Sequence, residues 1–330
     1  MTLKMERVLR FLALKSLIPP SARASKLSSQ GLSGEVYSVD SEMEHYILKF
    51  YKVRSEKTVA KEMRIYRYMS DSGVPVPKTY FADAKGNIAS RPFLLMQKLE
   101  GEAFGSLLER GVGTSFVEAF ASSLHQLHSV NTENLGLNIP RRNFMDEVSE
   151  LKTTSALLLA FSVAPVIFQR AYRTLSAISA LSIKGNPPAL LHGDCGPDNA
   201  IYSNGVVYLI DLESAYVGDP AFDLGYGYHC IRFAEPSNPE LAEDFIKAYE
   251  KLHGKVSDLQ THKRLAALKL AVLLRFLKGI NPLSLVLLGP RRVAALLAVR
   301  NYFSRFIDYC LEYAEKGRAE LEQKPSGPRA

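Results

Sequence analysis

The segment LLHGDCGPDNAIYSNGVVYLIDLE, residues 190–213, sets Asp194, Asn199 and Asp211 around a short apolar run. Asn204-Gly205, between IYS and VVYLI, predicts a two-residue type I′ hairpin, whose central positions both need positive φ. Counting outward from that turn pairs Ser203 with Val206, Tyr202 with Val207, Ile201 with Tyr208 and Asn199 with Ile210. Asn199 and Asp211 then reach the open end of the hairpin one residue out of step, so their side chains converge only where the strands splay. Asp194 lies five residues upstream of Asn199, in a loop with Gly193, Gly196 and Pro197 that can fold over the same end. An amide oxygen beside a carboxylate suits Mg²⁺, which takes few protein ligands and keeps its other positions for water and phosphate. Asp194 is left to act as a base. Taken singly, Asp194, Asp198, Asn199 and Asp211 are ordinary turn and cap residues. Their joint spacing is what favours chemistry.

A second group lies upstream. Lys49 sits inside the apolar run HYILKFY, where an inward ammonium is costly unless paired or bound to an anion. The following segment, SEKTVAKEMRIYRYMSDSG, repeats Val59, Met63, Tyr66 and Met69 on one helical face. Glu62, three residues after Val59 and four before Tyr66, shares that face. A buried pair between Lys49 and Glu62 is expected; the alternative is a lysine whose stem runs along the sheet to solvent. Before them, QGLSGEVYSV reads as a glycine turn, Gly31 to Gly34, whose backbone N–H groups can lie over phosphates. A Gly-x-x-Gly beside a strand also occurs in hairpins that bind nothing.

The elements that must position these residues change character once along the chain. Up to about Glu100, the runs EVYSV, HYILKFY and FLLMQKL read as strands, with a helix between the second and third. Beyond it, helices dominate, over 115–129, 142–180, 239–253, 259–279 and 291–317, and the clear strands flank Asn204-Gly205. The pattern predicts a small α+β lobe, residues 1–99, joined near Leu99-Glu100-Gly101 to a larger, mainly helical lobe, residues 100–330. The 330 residues, 47% of them hydrophobic, are enough for both cores. A formal net charge of +7 favours anionic partners without choosing among them. Three scattered cysteines, Cys195, Cys230 and Cys310, suit neither a disulfide framework nor a zinc site and point to a reducing, cytoplasmic setting. The basic N-terminus leaves a targeting role open, although Arg10 and Lys15 around FLALKSLI fit an amphipathic helix better than a signal sequence. The apolar stretch 283–299 is broken by Gly289-Pro290-Arg291-Arg292, so no membrane span is expected.

With these pieces placed, the chain resembles the aminoglycoside phosphotransferase and choline kinase superfamily, small-molecule kinases with a protein-kinase-like fold. The resemblance is carried by LLHGDCGPDNAIY, by VYLIDLESAYVGDPAFDLGY, and by YILKFY with Glu62. It runs from Gln30 past Asp223, and the C-terminal helices match in character alone. It implies a two-lobed α+β fold, with an antiparallel sheet and one helix in the small lobe, and ATP and Mg²⁺ as cofactors. The implied activity is transfer of the γ-phosphate to a hydroxyl of a small molecule. Carried over residue by residue, Asp194 would be the base, and Asn199 and Asp211 would hold Mg²⁺. Lys49, held by Glu62, would contact the α- and β-phosphates. Gly31, Ser33 and Gly34 would cover the phosphates, and the backbone of Gln97, Lys98 and Leu99 would receive adenine. His192 would brace the loop, while Asp219 and Asp223 would be structural.

The sequence departs from that pattern in two respects. The phosphate loop has two glycines, and the chain is net basic with no carboxylate cluster in its C-terminal KPSGPRA for a polycationic aminoglycoside; Glu240, Glu243 and Asp244 read as a solvated helical face. A sugar, amino alcohol or amino acid is an equally good acceptor. A protein Ser/Thr kinase would use the same groups, yet the chain lacks an Asp-Phe-Gly segment followed by Ala-Pro-Glu. A nucleotide-binding pseudokinase would fold alike, but this chain keeps Asp194, Asn199, Asp211, Lys49 and Glu62 together. Arg291, Arg292, Arg300 and Arg305 read as a solvated face rather than a nucleic-acid contact, so no nucleic-acid partner is expected.

Overall fold

The computed structural model describes residues 3–27, 34–51, 56–133, 135, 139–161, 165–279 and 304–316. The chain divides into two compact units: residues 1–139 with 192–215, and residues 140–191 with 216–330.

The first unit is built on a five-stranded antiparallel sheet of β1 (Arg23–Lys26), β2 (Gly34–Asp40), β3 (His45–Tyr51), β4 (Thr79–Asp83) and β5 (Phe93–Gln97), in the order β1-β2-β3-β5-β4. The central strand, β3, is paired on both sides, placing Lys49 opposite Val36 and Leu94. Helix α1 (Leu3–Leu14) is amphipathic and buries Val8 and Leu12 against Leu48, Phe93 and Leu95. Each such side chain contributes about 1.5–3 kcal/mol when fully buried. Helix α2 (Glu56–Asp71) follows β3 and buries Val59, Glu62, Ile65, Tyr66 and Met69. Met63, expected on this face, is half-buried and Ile65 takes its place. The heavy tilt of the face toward 59, 62, 66 and 69 leaves position 63 at its margin.

Helices α3 (Phe104–Glu109) and α4 (Gly113–His128) complete this unit together with a hairpin of β7 (Ala200–Ser203) and β8 (Val206–Leu209). The hairpin has the expected register, and Asn204 and Gly205 both have positive φ, at 50° and 83°. The hydroxyl of Ser123 on α4 donates to Val207 O at 2.6 Å, and Glu102 and Tyr202 exchange backbone hydrogen bonds of 2.9 and 3.0 Å. A Cβ on Gly101 would stand 2.5 Å from Tyr202 O, so the chain needs glycine there to pass so close to the hairpin.

The second unit contains α5 (Phe144–Phe161), α6 (Pro165–Ile178), α7 (Ala221–Ala234), α8 (Glu240–His253), α9 (Leu259–Gly279) and a helical stretch over 304–316. A two-stranded pairing of β6 (Ala189–Leu191) with β9 (Tyr216–Gly218) brackets the 192–215 excursion. The single helix expected over 142–180 is two: α5 ends by Phe161 and α6 opens on Pro165, which has no N–H to continue an earlier helix. The strands β1, β4, β6 and β9 escaped the periodicity because they are short, bulged or polar at an edge. Of the helix expected over 291–317, residues 304–316 are helical and the rest lie outside the described residues. Asp219 Oδ1 accepts the Ala221 N–H at the start of α7, as a capping carboxylate does. Glu243, expected on a solvated face, is exposed but also accepts the Tyr228 hydroxyl at 2.7 Å. No helix among the described residues is long and apolar enough to cross a membrane.

Helices α7 and α9 enclose His229, fully buried. Its Nε2–H donates to Lys263 O at 2.8 Å, and Nδ1 faces the Tyr309 hydroxyl at 3.1 Å, which suits a neutral ring. Burial lowers its pKa from 6.5 to about 3. The unfolded chain therefore takes up a proton at pH 6.5 that the folded chain refuses until pH 3. The stability His229 contributes is present above pH 6.5 and declines as pH falls toward 3, by about 1.4 kcal/mol per pH unit for a single proton. Urea unfolding midpoints between pH 7 and 4 should fall less steeply in His229→Gln than in the wild type; parallel slopes would remove His229 from acid sensitivity.

Candidate active site

The loop after Leu191 is built around His192, 1% exposed. Its Nε2–H donates to Ile210 O at 2.9 Å, leaving Nδ1 to face the Asp194 N–H at 3.4 Å. One buried ring thus ties the loop bearing Asp194 to the residue before Asp211. Gly193, at φ 79°, supplies the turn, and Pro197–Asn199 close a 3₁₀ turn that delivers Asn199. The Asn199 Nδ2 donates to both the backbone oxygen and Oδ2 of Asp194, at 2.9 and 3.0 Å. Asp194 and Asn199 are half-buried.

Downstream, the hairpin register continues one step beyond β8, with the Ile210 N–H donating to Asn199 O at 3.0 Å. At Asp211 the backbone turns left-handed, with φ 61° and ψ 60°. An L-residue there costs roughly 1–2 kcal/mol. Past that turn the Asp211 carboxylate reaches β3, where Oδ1 accepts from Lys49 Nζ at 2.8 Å.

Lys49 is the centre of the cluster. The residue is 6% exposed, and its ammonium reaches the two oxygens of Glu62 at 3.2 and 3.3 Å and Glu213 Oε2 at 3.6 Å. It also lies 4.7 Å from the ring centre of Tyr51, whose hydroxyl donates to Glu62 at 2.6 Å. Burial works against the lysine's charge, but Glu62, Asp211 and Glu213 outweigh it and hold the pKa above the ordinary value. Burial, followed by the negative charge of Glu62, lifts the Tyr51 phenol well above its usual range. Burial and the neighbouring carboxylates also raise the Glu213 pKa, against the pull of Lys49.

Ligand oxygens of Glu62, Asp211 and Glu213 lie within 4.8 Å of one another. Three carboxylates therefore surround one ammonium, and the all-oxygen donor set matches a hard divalent cation such as Mg²⁺. Of the two residues expected to hold metal, Asp211 belongs to this cluster and Asn199 is bonded to Asp194. Glu213 was not singled out from the sequence, although it stands two residues after Asp211 in IDLE. Lys61 and Tyr66 were missed as well, since a lysine and a tyrosine on a helix carry no signal for backbone contacts made 145 or more residues away.

Among the residues expected around the nucleotide, Gly34 opens β2 opposite Tyr51, while Gly31 and Ser33 lie outside the described residues. Gln97 N–H donates to Lys78 O at 2.8 Å and Lys98 N–H to His45 O at 3.3 Å, so both are engaged by neighbouring backbone. Lys98 Nζ also pairs with Asp40 at 2.9 Å.

A sequence model of the phosphotransferase enzyme family matches residues 26–268. Over 210 residues the chain is 25% identical to acyl-CoA dehydrogenase family member 10 of Mus musculus, an alignment covering 58% of this chain and 18% of the mouse protein. The chain thus corresponds to under a fifth of that relative. The fold is shared with a choline kinase of Cryptosporidium parvum Iowa II (TM-score 0.66, 11% identity, 97% of each chain). It is shared equally with the choline kinase LicA of Streptococcus pneumoniae (TM-score 0.63, 18% identity, 94% of this chain and 99% of the other). A thermostable mutant of aminoglycoside phosphotransferase APH(4)-Ia, in ternary complex with ADP and hygromycin B, is similar over 93% of this chain and 98% of its own (TM-score 0.65, 14% identity).

Proposed function

We propose that this chain, which belongs to the phosphotransferase enzyme family, moves the γ-phosphate of ATP to a hydroxyl of a small molecule, with Asp194 as the base. The observation that carries the reading is the convergence of Lys49, Glu62, Asp211 and Glu213 on one charged cluster, linked through Ile210 and His192 to the loop of Asp194.

In this reading residues 1–99 form the nucleotide-binding lobe and residues 100–330 carry the base and the acceptor surface. Asn199 donates to one oxygen of the Asp194 carboxylate and fixes its direction, and the carboxylate takes the acceptor's proton. The acceptor oxygen then bonds to the γ-phosphorus as the bridging P–O bond to ADP breaks, and the proton stays on Asp194. Asp211 and Asn199 would hold Mg²⁺, with Glu213 beside them; when bound, the metal neutralises charge on the phosphate oxygens. Lys49, kept charged by its carboxylates, would contact the α- and β-phosphates, with Glu62 as the anchor that limits its reach. Gly31, Ser33 and Gly34 would cover the phosphates. Since the N–H groups of Gln97 and Lys98 are engaged, the Leu99 N–H is the donor left to meet adenine. ATP as donor goes with a cytoplasmic setting.

The net positive charge of the chain favours a sugar, amino alcohol or amino acid over a polycationic acceptor. The test is transfer from γ-labelled ATP with Mg²⁺ to a panel of such hydroxyl compounds. Label moving to one chemical class identifies the acceptor. A panel that stays unlabelled, with no Mg²⁺-dependent ATP binding either, would refute the reading.

A further inference from the structure

The left-handed turn at Asp211 is held by helix α2, at both of its ends. On the N-terminal side, the Asp211 N–H donates to the Tyr66 hydroxyl at 2.8 Å, and the Leu212 N–H faces the same oxygen. Tyr66 is 1% exposed, so this oxygen is a fixed acceptor rather than one exchanging with water. On the C-terminal side, Lys61 Nζ donates to Glu213 O at 2.6 Å and to Ala215 O at 3.0 Å. Between them the Ala215 N–H closes the short 3₁₀ turn onto Leu212 O at 3.1 Å. A non-glycine residue stays left-handed only where its surroundings over-determine it. Here the side chains that hold the backbone of residues 211–215 come from one helix.

Glu62, next to Lys61 and one helical turn before Tyr66, is the residue that anchors Lys49. The same helix therefore sets the ammonium and the backbone of the segment whose carboxylate it touches. We propose that Lys61 and Tyr66 are positioning residues for the Asp211 and Glu213 carboxylates, with α2 acting as the template on which the cation site is assembled. This inference rests on the reading of Asp211 as a metal ligand. Removing the Tyr66 hydroxyl leaves a buried N–H without its acceptor and frees the turn to relax toward ordinary backbone. Removing the Lys61 ammonium releases two carbonyls at the other end. In either case Asp211 keeps its chemistry but loses its place.

The experiment titrates Mg²⁺ into full-length protein with a fluorescent ATP analogue, comparing wild type, Tyr66→Phe, Lys61→Met and Lys61→Arg. Thermal midpoints and metal-free nucleotide affinity are recorded for each. Tyr66→Phe and Lys61→Met should raise the Mg²⁺ concentration for half-maximal binding by about 10-fold, with metal-free affinity within about twofold of wild type, and Lys61→Arg should recover most of the loss. Lys61 is half-buried, so its variants keep the test alive if Tyr66→Phe does not fold. Folded variants with the wild-type Mg²⁺ requirement would overturn the positioning role while leaving the metal site standing. A wild type indifferent to Mg²⁺ would overturn both.

Discussion

Asp194→Ala is expected to slow phosphoryl transfer by about 10²–10⁴-fold while leaving Mg-ATP affinity within about threefold, because a positioned base supplies a factor of that order. The separation is built into the loop. Asn199 holds Asp194 through the backbone oxygen as well as the carboxylate, so an alanine at 194 keeps half of the tether. The bonds of Lys49 go to Glu62, Asp211 and Glu213. Single-turnover transfer and equilibrium nucleotide binding, measured on the same preparation, check this. If nucleotide binding falls in step with transfer, Asp194 is organising the site rather than accepting a proton.

The second large effect concerns stability. In Lys49→Met, Glu62, which is fully buried, loses its ammonium while Asp211 and Glu213 stay within 4.8 Å of it. Stripping one partner from a buried ion pair costs about 3–5 kcal/mol. The thermal midpoint in metal-free buffer should therefore drop sharply, and Mg²⁺ or Mn²⁺ should restore much more of it than the same addition raises in the wild type. Adding Glu62→Gln to Lys49→Met should recover stability without metal, because it removes the stranded charge. Equal midpoints for wild type and Lys49→Met would mean that the cluster is already protonated or hydrated enough to need no counter-ion.

Why Lys49 and Glu62 could be paired from sequence, and the rest of their surroundings could not, follows from what a pattern records. Lys49 interrupts an apolar strand and Glu62 interrupts an apolar helical face, and two interruptions on faces that must pack together imply each other. The hairpin was legible for a local reason, since Asn204-Gly205 fits a turn with two positive φ values. At Asp211 the reading stopped one residue short. Strand counting gave the mismatch with Asn199, but nothing in IDLE announces that the backbone turns left-handed, since aspartate tolerates that conformation without requiring it. The contacts that hold it come from Lys61 and Tyr66 on a helix far upstream. Short strands such as Ala189–Leu191 and Tyr216–Gly218 are likewise defined by each other rather than by three residues of alternation.

The order of the chain through its two compact units carries a practical meaning. Residues 192–215 return to the unit formed by 1–139 after an intervening stretch of 52 residues that belongs to the other. Lys49 and Glu62 thus lie on the first pass, and Asp194, Asn199 and Asp211 on the second. A single cut after Ile139 strands the two halves of the charged cluster on separate polypeptides, so neither fragment can be expected to bind nucleotide by itself. Ligation order matters too: a circular permutant reopened at the exposed Asn204-Gly205 turn would break the hairpin between Asn199 and Asp211, whereas one reopened in the 236–239 stretch between α7 and α8 would leave both passes whole.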